Sequence, residues 1–239
     1  MIVVIGDPIL VLSADGSADA GGQAVAIARA TARTGAAVQL AGKVGDDPAG
    51  DDVLLSLNRD AIGHVAVLRD PGAATAITEA PSAPGEDDEE APTAIADDDD
   101  EASPGADPET GDADASAAGR AGAPGQASSL GPEDLDLALR YLTSFGVLVV
   151  AQPMSDRTLA VAVESAAYAG AHLILIDLEG DIPAVPADDL TVLGSPAADP
   201  DGDFAGLVGR YAAALDAGKP AAAAFRAALG ALGAESATA

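Results

Sequence analysis

The sequence predicts an α/β fold with three layers, in which helices cover both faces of a mostly parallel central sheet. Short apolar runs, many of them β-branched, alternate along the chain with longer Ala-rich segments. These runs are continuously apolar, which is typical of strands in a parallel sheet that is buried on both faces. Strands are therefore predicted at residues 2–5, 38–41, 65–68, 74–77, 147–150, 173–176 and 190–193.

Glycine, proline and capping residues predict where the helices begin and end. Pro132 suits the first turn of a helix, Ser155 is a good N-cap, and Gly35 is a stop signal. Asp46 and Asp47 are expected to brace the turn before a helix. Six helices follow from these signals, at about residues 23–34, 51–60, 132–144, 155–170, 204–217 and 220–232.

A segment of different composition interrupts this pattern. From Glu79 to Leu130 the chain has 15 acidic residues and one basic residue, so the segment carries −14 of the total charge of −28. It cannot bury enough apolar surface to offset its conformational entropy. We therefore predict a disordered acidic low-complexity insert at residues 80–130. The α/β domain then consists of two parts, residues 1–79 and 131–239.

The charge excludes two classes of partner. With 39 acidic and 11 basic residues, the chain has no broad basic surface for nucleic acid or for an anionic membrane. The acidic insert has two readings: a solvated insertion without function, or an arm that binds a basic protein partner or cations.

Cysteine is absent, which excludes disulfides and thiolate metal sites. The apolar start is too short for a signal peptide, and no run approaches the ~20 residues that cross a bilayer. We expect a soluble, cytoplasmic protein. His64 and His172 have no second ligand at metal-binding spacing, so we predict no metal site and place both at the surface or at an edge.

Parallel sheets bind ligands beyond the carboxyl ends of their strands. This rule directs attention to four places in the chain. They are Asp7, the Gly21-Gly22 turn, Gln152 and Asp177.

Residues 21–50 carry the most specific motif. The Gly21-Gly22 pair precedes an Ala-rich helix that stops at a glycine, then a strand, then Gly45-x-Asp47-x-x-Gly50. This gapless stretch resembles the first signature of the PfkB (ribokinase-like) carbohydrate kinases. Weaker similarity continues at residues 74–77, 130–153 and 202–220.

The resemblance implies a ribokinase-like fold and transfer of the ATP γ-phosphate to a sugar or nucleoside hydroxyl, with Mg-ATP as cofactor. It implies that the glycine turn approaches the substrate, and that a helix near the C-terminus stabilises phosphoryl charge with its amides. It also implies a catalytic base that accepts the hydroxyl proton. The residues so assigned are Asp7, Gly21, Gly22 and Gln152 for substrate, Gly202 and Asp177 for cofactor, and Asp203 as base.

Several polar positions of the family are replaced in this chain. Val11 stands where the family has a sugar-binding Asp, Ala26 where it has an Asn, and Met154 where a Glu is common. Residues 194–198 replace an Asn-x-x-Glu element that helps to organise magnesium. The C-terminal motif, residues 199–203, reads Asp-Pro-Asp-Gly-Asp instead of containing Gly-Ala-Gly-Asp.

Losing one charged contact in a polar site typically costs several kcal/mol of transition-state binding, so joint losses favour an inactive protein. We predict a degenerate, shortened member of the family, a pseudokinase with a binding, assembly or regulatory role. Two alternatives stay open: an active sugar or nucleoside kinase, and a protein whose acidic arm is the working part. A small-molecule ligand and a homo-oligomer are compatible with the sequence. There is little room between Leu12 and Gly21 for the β lid through which the family often dimerises.

Overall fold

The computed structural model describes residues 1–80, 127–142, 144–177 and 189–236. Within these ranges the strands are β1 (Ile2–Ile5), β2 (Ile9–Leu12), β3 (Ala18–Gly21), β4 (Val38–Gly45), β5 (Gly63–Asp70), β6 (Ile77–Glu79), β7 (Val147–Val150), β8 (His172–Ile176) and β9 (Leu190–Leu193). The helices are α1 (Gln23–Arg33), α2 (Pro48–Arg59), α3 (Pro132–Arg140), α4 (Asp156–Ala169), α5 (Asp203–Asp216) and α6 (Ala221–Ser236).

Six strands form the central sheet, in the order β5-β4-β1-β7-β8-β9. Every pairing described in this sheet is parallel. Ile2 of β1 lies opposite Val38 of β4 on one side and opposite Val147 of β7 on the other. All residues of β1, β7 and β8 are buried, as their continuously apolar sequences predict.

The two faces of the sheet carry separate hydrophobic cores, because successive side chains of a strand point to opposite faces. Ile2 and Val4 pack in the core formed with α1, α2, α5 and α6. Val3 and Ile5 pack in the core formed with α3 and α4. The predicted three-layer arrangement is therefore confirmed.

Helix ends follow the local chemistry of the sequence. Asp47 is the N-cap of α2, where its carboxylate accepts from Gly50 N at 2.8 Å. Ser155 caps α4 by accepting from Thr158 N at 3.2 Å, and Gly170 ends the same helix in the left-handed region, with φ of 63°. A residue without a side chain adopts that conformation at little cost.

A second, smaller sheet corrects one expectation. β2 and β3 form an antiparallel hairpin, and β6 pairs parallel to β2. The hairpin turn is closed by a 2.9 Å hydrogen bond from Ser13 N to Ser17 O, with Gly16 at φ of 83°. The region between Leu12 and Gly21, where little room for a β lid was predicted, holds this turn and β3. The strand predicted at residues 74–77 shares only Ile77 with β6.

Residues Met1–Ala80 and Pro124–Ala239 form one compact unit. The prediction of an acidic insert concerns residues 80–130, and residues 81–126 lie outside the described part of the chain. In the described part, no helix is long and apolar enough to span a bilayer.

The chain on both sides of residues 81–126 is hydrogen-bonded to the small sheet or next to it. Ala80 N donates to Leu12 O at 2.8 Å, and Ser128 N donates to Ala74 O at 3.1 Å. Ala80 and Ser128, the described residues near the two ends of this segment, are therefore both hydrogen-bonded to the domain.

Candidate functional site

Asp7 follows β1 and is held by three neighbouring segments at the carboxyl edge of the central sheet. Its Oδ1 accepts from Lys43 N at 3.0 Å, and its Oδ2 accepts from Leu130 N at 3.1 Å. Gln152, just beyond β7, donates from Nε2 to the same Oδ2 at 3.0 Å and accepts from Asp7 N at 2.9 Å. Burial raises the pKa of the Asp7 carboxyl above its ordinary value of 3.8, against hydrogen bonds that lower it.

The side chain of Lys43 lies between two carboxylates. Its Nζ is 2.9 Å from Asp70 Oδ2 at the end of β5 and 3.0 Å from Asp134 Oδ2 in α3. The hydrogen bond to Asp70 raises the pKa of Lys43, and burial opposes that rise. Asp134 Oδ2 also accepts from Gly131 N at 3.1 Å. These ion-paired groups lie beside Asp7 at the carboxyl edge of the central sheet, and they pair with one another.

The glycine turn between β3 and α1 packs against aliphatic side chains. A methyl group added at Gly21 would lie 2.2 Å from Val11 Cγ2, so the Val11 side chain covers the face of this glycine. Ile9 Cγ1 is 3.7 Å from the same point at Gly21 and at Gly22. Gly22 has φ of 93°, a conformation that favours glycine. The Val11 side chain therefore occupies the position that a β-carbon at Gly21 would take.

The start of α5 lies close to α1. Gly202, the N-cap of α5, has φ of 72° and lines a cavity of about 400 Å³ together with Ala26 and Arg29. Asp203, the first residue of α5, is exposed. Asp199 supplies the acceptors for this helix end: its Oδ1 accepts from the amide of residue 204 at 3.0 Å, and its Oδ2 from that of residue 205 at 2.9 Å.

Asp177 connects the ends of β8 and β9. Its backbone has φ of 51°, and its N donates to Leu193 O at 2.9 Å. Its carboxylate accepts from Ser195 N at 2.7 Å and from the Ser195 hydroxyl. Gln152 and Met154 line a cavity of about 10 Å³ with Asp177, which is too small for a ligand.

The Gly-x-Asp-x-x-Gly motif forms a braced turn. Asp47 Oδ2 accepts from Thr75 N at 2.8 Å, and its Oδ1 accepts from the Thr75 hydroxyl at 2.7 Å. The same hydroxyl accepts from Gly45 N at 2.9 Å. A methyl group at Gly50 would lie 2.4 Å from Gly45 O, which explains a glycine there. The predicted bracing role of Asp47 is confirmed.

His172 corrects a second expectation, because it is buried and not a surface residue, with 9% of its surface exposed. Its Nε2 is 2.8 Å from Thr191 Oγ1, which is 2.8 Å from the Tyr211 hydroxyl. The sequence does not predict this chain of side-chain hydrogen bonds, because the three residues lie on β8, β9 and α5. Among the described residues, no group of three or more His, Cys, Asp or Glu side chains has metal-binding geometry.

The structure brings some of the predicted site residues together. Asp7 and Gln152 are hydrogen-bonded, and a methyl group at Gly22 would lie 3.7 Å from Asp7 O. Three assignments stay predictions. Asp7, Gln152, Gly21 and Gly22 are predicted to contact a substrate, and Gly202 and Asp177 a cofactor. Asp203 is predicted to be the base. Sequence reasoning missed the roles of Lys43 and Asp199, since their partners are set by the fold.

The six-stranded parallel sheet between two helical layers, with a small sheet beside its carboxyl edge, defines a ribokinase-like α/β protein. Residues 5–88 match the sequence model described as pfkB family carbohydrate kinase. This match over residues 5–88 confirms the resemblance to that family seen in the motifs. Among curated proteins, no sequence matches the chain significantly.

Solved structures share the fold at low identity. The crystal structure of Sa239 has a TM-score of 0.57 and 13% identity, covering 94% of this chain and 89% of that chain. An uncharacterized sugar kinase from Pyrococcus horikoshii in complex with ATP has a TM-score of 0.47 and 11% identity, with 88% of this chain and 60% of that chain covered. Aminoimidazole riboside kinase from Salmonella enterica has a TM-score of 0.45 and 14% identity, with 73% of this chain and 48% of that chain covered. The chain thus spans about half to three fifths of those two kinases.

Proposed function

We propose that the chain is a catalytically degenerate member of the carbohydrate kinase family, a pseudokinase with a binding, assembly or regulatory role. The observation that carries this proposal is the packing of Val11 on Gly21. A substrate hydroxyl needs a polar partner in a site shielded from water. Here a hydrocarbon side chain covers the glycine turn, and Ala26, at the family's Asn position, offers no polar atom on its side chain.

The remaining polar groups near the turn support the same proposal. Both carboxylate oxygens of Asp7 accept hydrogen bonds from the protein, and the Gln152 amide uses its oxygen and nitrogen on Asp7. A substrate that displaced any of these bonds would leave a buried group without a partner, at a cost of about 1–3 kcal/mol. The arrangement fits a structural role better than ligand recognition.

The family implies Mg-ATP as cofactor, and the start of α5 does not fit its phosphates as it stands. The amides of Phe204 and Ala205, which face the end of the helix where anions bind, already donate to Asp199. Residues 194–198 also lack the acidic side chain of the family's magnesium element. We therefore derive no phosphoryl-transfer step for this chain.

Calorimetric titration of the purified protein with Mg-ATP, and with a non-hydrolysable analogue, tests the proposal. We expect no saturable heat from a protein whose circular dichroism shows it to be folded. A screen of sugars and nucleosides for ADP release accompanies the titration. Magnesium-dependent turnover that exceeds a blank purified from the same host would overturn the pseudokinase proposal.

The second candidate is an active ATP-dependent sugar or nucleoside kinase. Asp203 favours it, because this carboxylate is exposed in the first turn of α5 next to Gly202. If turnover is found, Asp203→Asn is expected to abolish it, because the amide cannot accept the hydroxyl proton. Asp201→Asn is the matched control, since Asp201 is also exposed and lies two residues away. Equal loss in both variants would remove Asp203 from the role of base.

In the third candidate function, the acidic insert, which carries half of the net charge, is the part of the chain that binds a partner. We propose a cytoplasmic location and a basic protein as the partner, bound by charge attraction that weakens with salt. The ends of the insert are hydrogen-bonded at Ala80 and Ser128, so residues 82–126 can be replaced by a short Gly-Ser linker. Retained binding of a cationic probe, polylysine, by the shortened chain would contradict this candidate. A homo-oligomer is tested by light scattering on both chains.

A further inference from the structure

A cavity of about 970 Å³ lies between α3 and α4, at the edge of the central sheet opposite the candidate functional site. Met1 and Gly146 line it, and these residues directly precede β1 and β7. Asp7 and Gln152 come after the same two strands, which run parallel. The cavity is therefore at the amino edge of the sheet and shares no residue with the site implied by the family resemblance.

The floor of this cavity is apolar. Leu139, Leu142 and Phe145 line it with between 6% and 8% of their surface exposed, and Val161 of α4 adds a half-buried side chain. Small-molecule sites are clefts of roughly 300–1,000 Å³ that are mostly apolar and carry a few polar groups to orient the ligand. The floor therefore suits the apolar body of a small molecule.

Four charged groups of described residues line the cavity, and three of them are paired inside the protein. The Met1 amine is 2.7 Å from Asp216 Oδ1, and Arg140 Nη2 is 2.5 Å from Asp136 Oδ2. Within the described part of the chain, the fourth group, the Glu164 carboxylate, has no hydrogen-bond or ion-pair partner. The uncompensated charge in the wall is thus negative.

An aromatic ring stands next to this carboxylate. Tyr168 also lines the cavity and follows Glu164 by four positions in α4, so the two side chains are neighbours on one helix face. Tyr168 is 97% exposed, although aromatic side chains usually bury most of their surface. A cation near both groups would be attracted by the carboxylate and by the negative face of the ring. An anion would be repelled by Glu164 and by a net charge of −28.

We propose that this cavity binds an amphipathic organic cation, a small molecule with an aromatic or aliphatic body and a protonated amine. The body packs on the floor formed by Leu139, Leu142 and Phe145, and the ammonium group lies beside Glu164 and Tyr168. The inference goes beyond the proposed function, because it needs no phosphoryl transfer and uses the opposite edge of the sheet.

The test is an NMR titration of the full ¹⁵N-labelled chain at 0.15 M salt, on the order of physiological ionic strength, which screens general attraction to an acidic protein. The probe is tryptamine, and its comparisons are tryptophol, with a hydroxyl in place of the amine, and indole-3-propionate, with a carboxylate. We expect saturable shifts of the Leu139, Glu164 and Tyr168 amides and none at Asp7. Tryptamine should bind about fivefold more tightly than tryptophol, and indole-3-propionate should bind most weakly.

Variants at exposed positions test the two groups at the mouth without disturbing the core. Glu164→Gln should weaken tryptamine binding about fivefold and leave tryptophol binding unchanged. Glu133→Gln is the matched control, since it removes an exposed carboxylate from the first turn of α3, outside the cavity. Tyr168→Leu should weaken tryptamine binding about threefold, whereas Tyr168→Phe keeps the ring and should behave as the wild type.

Three results would overturn the inference. The first is the absence of saturable shifts at the cavity, including shifts that spread over the acidic surface instead. The second is equal affinity of the wild type for tryptamine and tryptophol. The third is an equal loss in Glu133→Gln and Glu164→Gln, which would mean general charge attraction. Turnover of Mg-ATP would contradict the proposed function and leave this inference standing, so the two failures are distinguishable.

Discussion

The ammonium group of Lys43 lies 3.0 Å from Asp134 Oδ2, although 91 positions and the whole acidic insert separate the two residues in sequence. The pair ties the end of β4 to the first turn of α3, and Asp70 completes it from β5 at 2.9 Å. About 16% of the Lys43 side chain is exposed, so the ion pair is shielded from solvent more than a surface pair. It helps to hold the two parts of the domain together.

Replacing Lys43 by Met should destabilise the fold. The substitution keeps most of the aliphatic side chain but leaves Asp70 and Asp134 facing each other without a cation, which costs about 1–3 kcal/mol of unfolding free energy. Urea denaturation at pH 7 measures the difference. The other lysine, Lys219, is exposed, and Lys219→Met is the matched control. Equal denaturation midpoints in the two variants would show that the Lys43 pair contributes nothing to stability.

Gly21→Ala should destabilise the protein because its methyl group would lie 2.2 Å from Val11 Cγ2. Val is β-branched and cannot turn away easily, so overpacking costs about 1–3 kcal/mol. In the double variant with Val11→Ala, most of this cost should be relieved, so the two substitutions should show a clear coupling energy. Gly194→Ala, with no atom within 4 Å of the added methyl, is the control. Additive effects of the two substitutions would refute the contact.

The fold could be predicted from the sequence to the extent that its signals are local. Continuous apolar runs in the sequence predict the buried strands β1, β7 and β8, and the serine and glycine caps predict the two ends of α4. β3 gave no such signal, since its sequence Ala-Asp-Ala-Gly has low strand propensity and its pairing with β2 decides its conformation.

The candidate site was predictable in part for the same reason. Asp7 and Gln152 follow buried parallel strands, and the ends of neighbouring strands meet at one edge of the sheet. The contact between Lys43 and Asp134 depends on how α3 packs after the acidic insert, which no local pattern encodes. The capping of α5 by Asp199 was also missed, because a carboxylate three residues before the N-cap is not a standard capping position.

Thr75→Val should weaken the braced turn at Asp47. Valine has the same shape but removes the hydroxyl that donates to Asp47 Oδ1 and accepts from Gly45 N, which should cost about 1–3 kcal/mol. Burial pushes the pKa of Asp47 up, but the bonds from Thr75 and Gly50 outweigh it and hold that pKa below 3.8. In Thr75→Val the pKa of Asp47 should therefore rise, as followed by ¹³C NMR. Thr78→Val, exposed on β6, is the control, and an unchanged Asp47 pKa would contradict the assignment.

The carboxyl of Asp7 should make the stability of the protein depend on pH in a direction opposite to that of most paired acids. Burial is the largest influence on this group, and its pKa in the folded protein is raised above the ordinary 3.8. The folded state then holds the proton more tightly than the unfolded state. The contribution of Asp7 is therefore fully present below pH 3.8 and is lost as the pH rises through its raised value.

Asp7→Asn isolates this contribution. The titration of every other group cancels when the unfolding free energy of the variant is subtracted from that of the wild type. An amide also places an NH₂ group near the donors of Leu130 and Gln152, so the variant should be less stable at all pH values. We expect the stability advantage of the wild type over the variant to be largest in acid and to shrink toward neutral pH. Urea denaturation across that range, with Asp52→Asn on the exposed side of α2 as control, gives the measurement. An advantage that grows with pH would mean that hydrogen bonds from Leu130, Gln152 and Lys43 outweigh burial, and that the ionised carboxylate is the form the fold prefers.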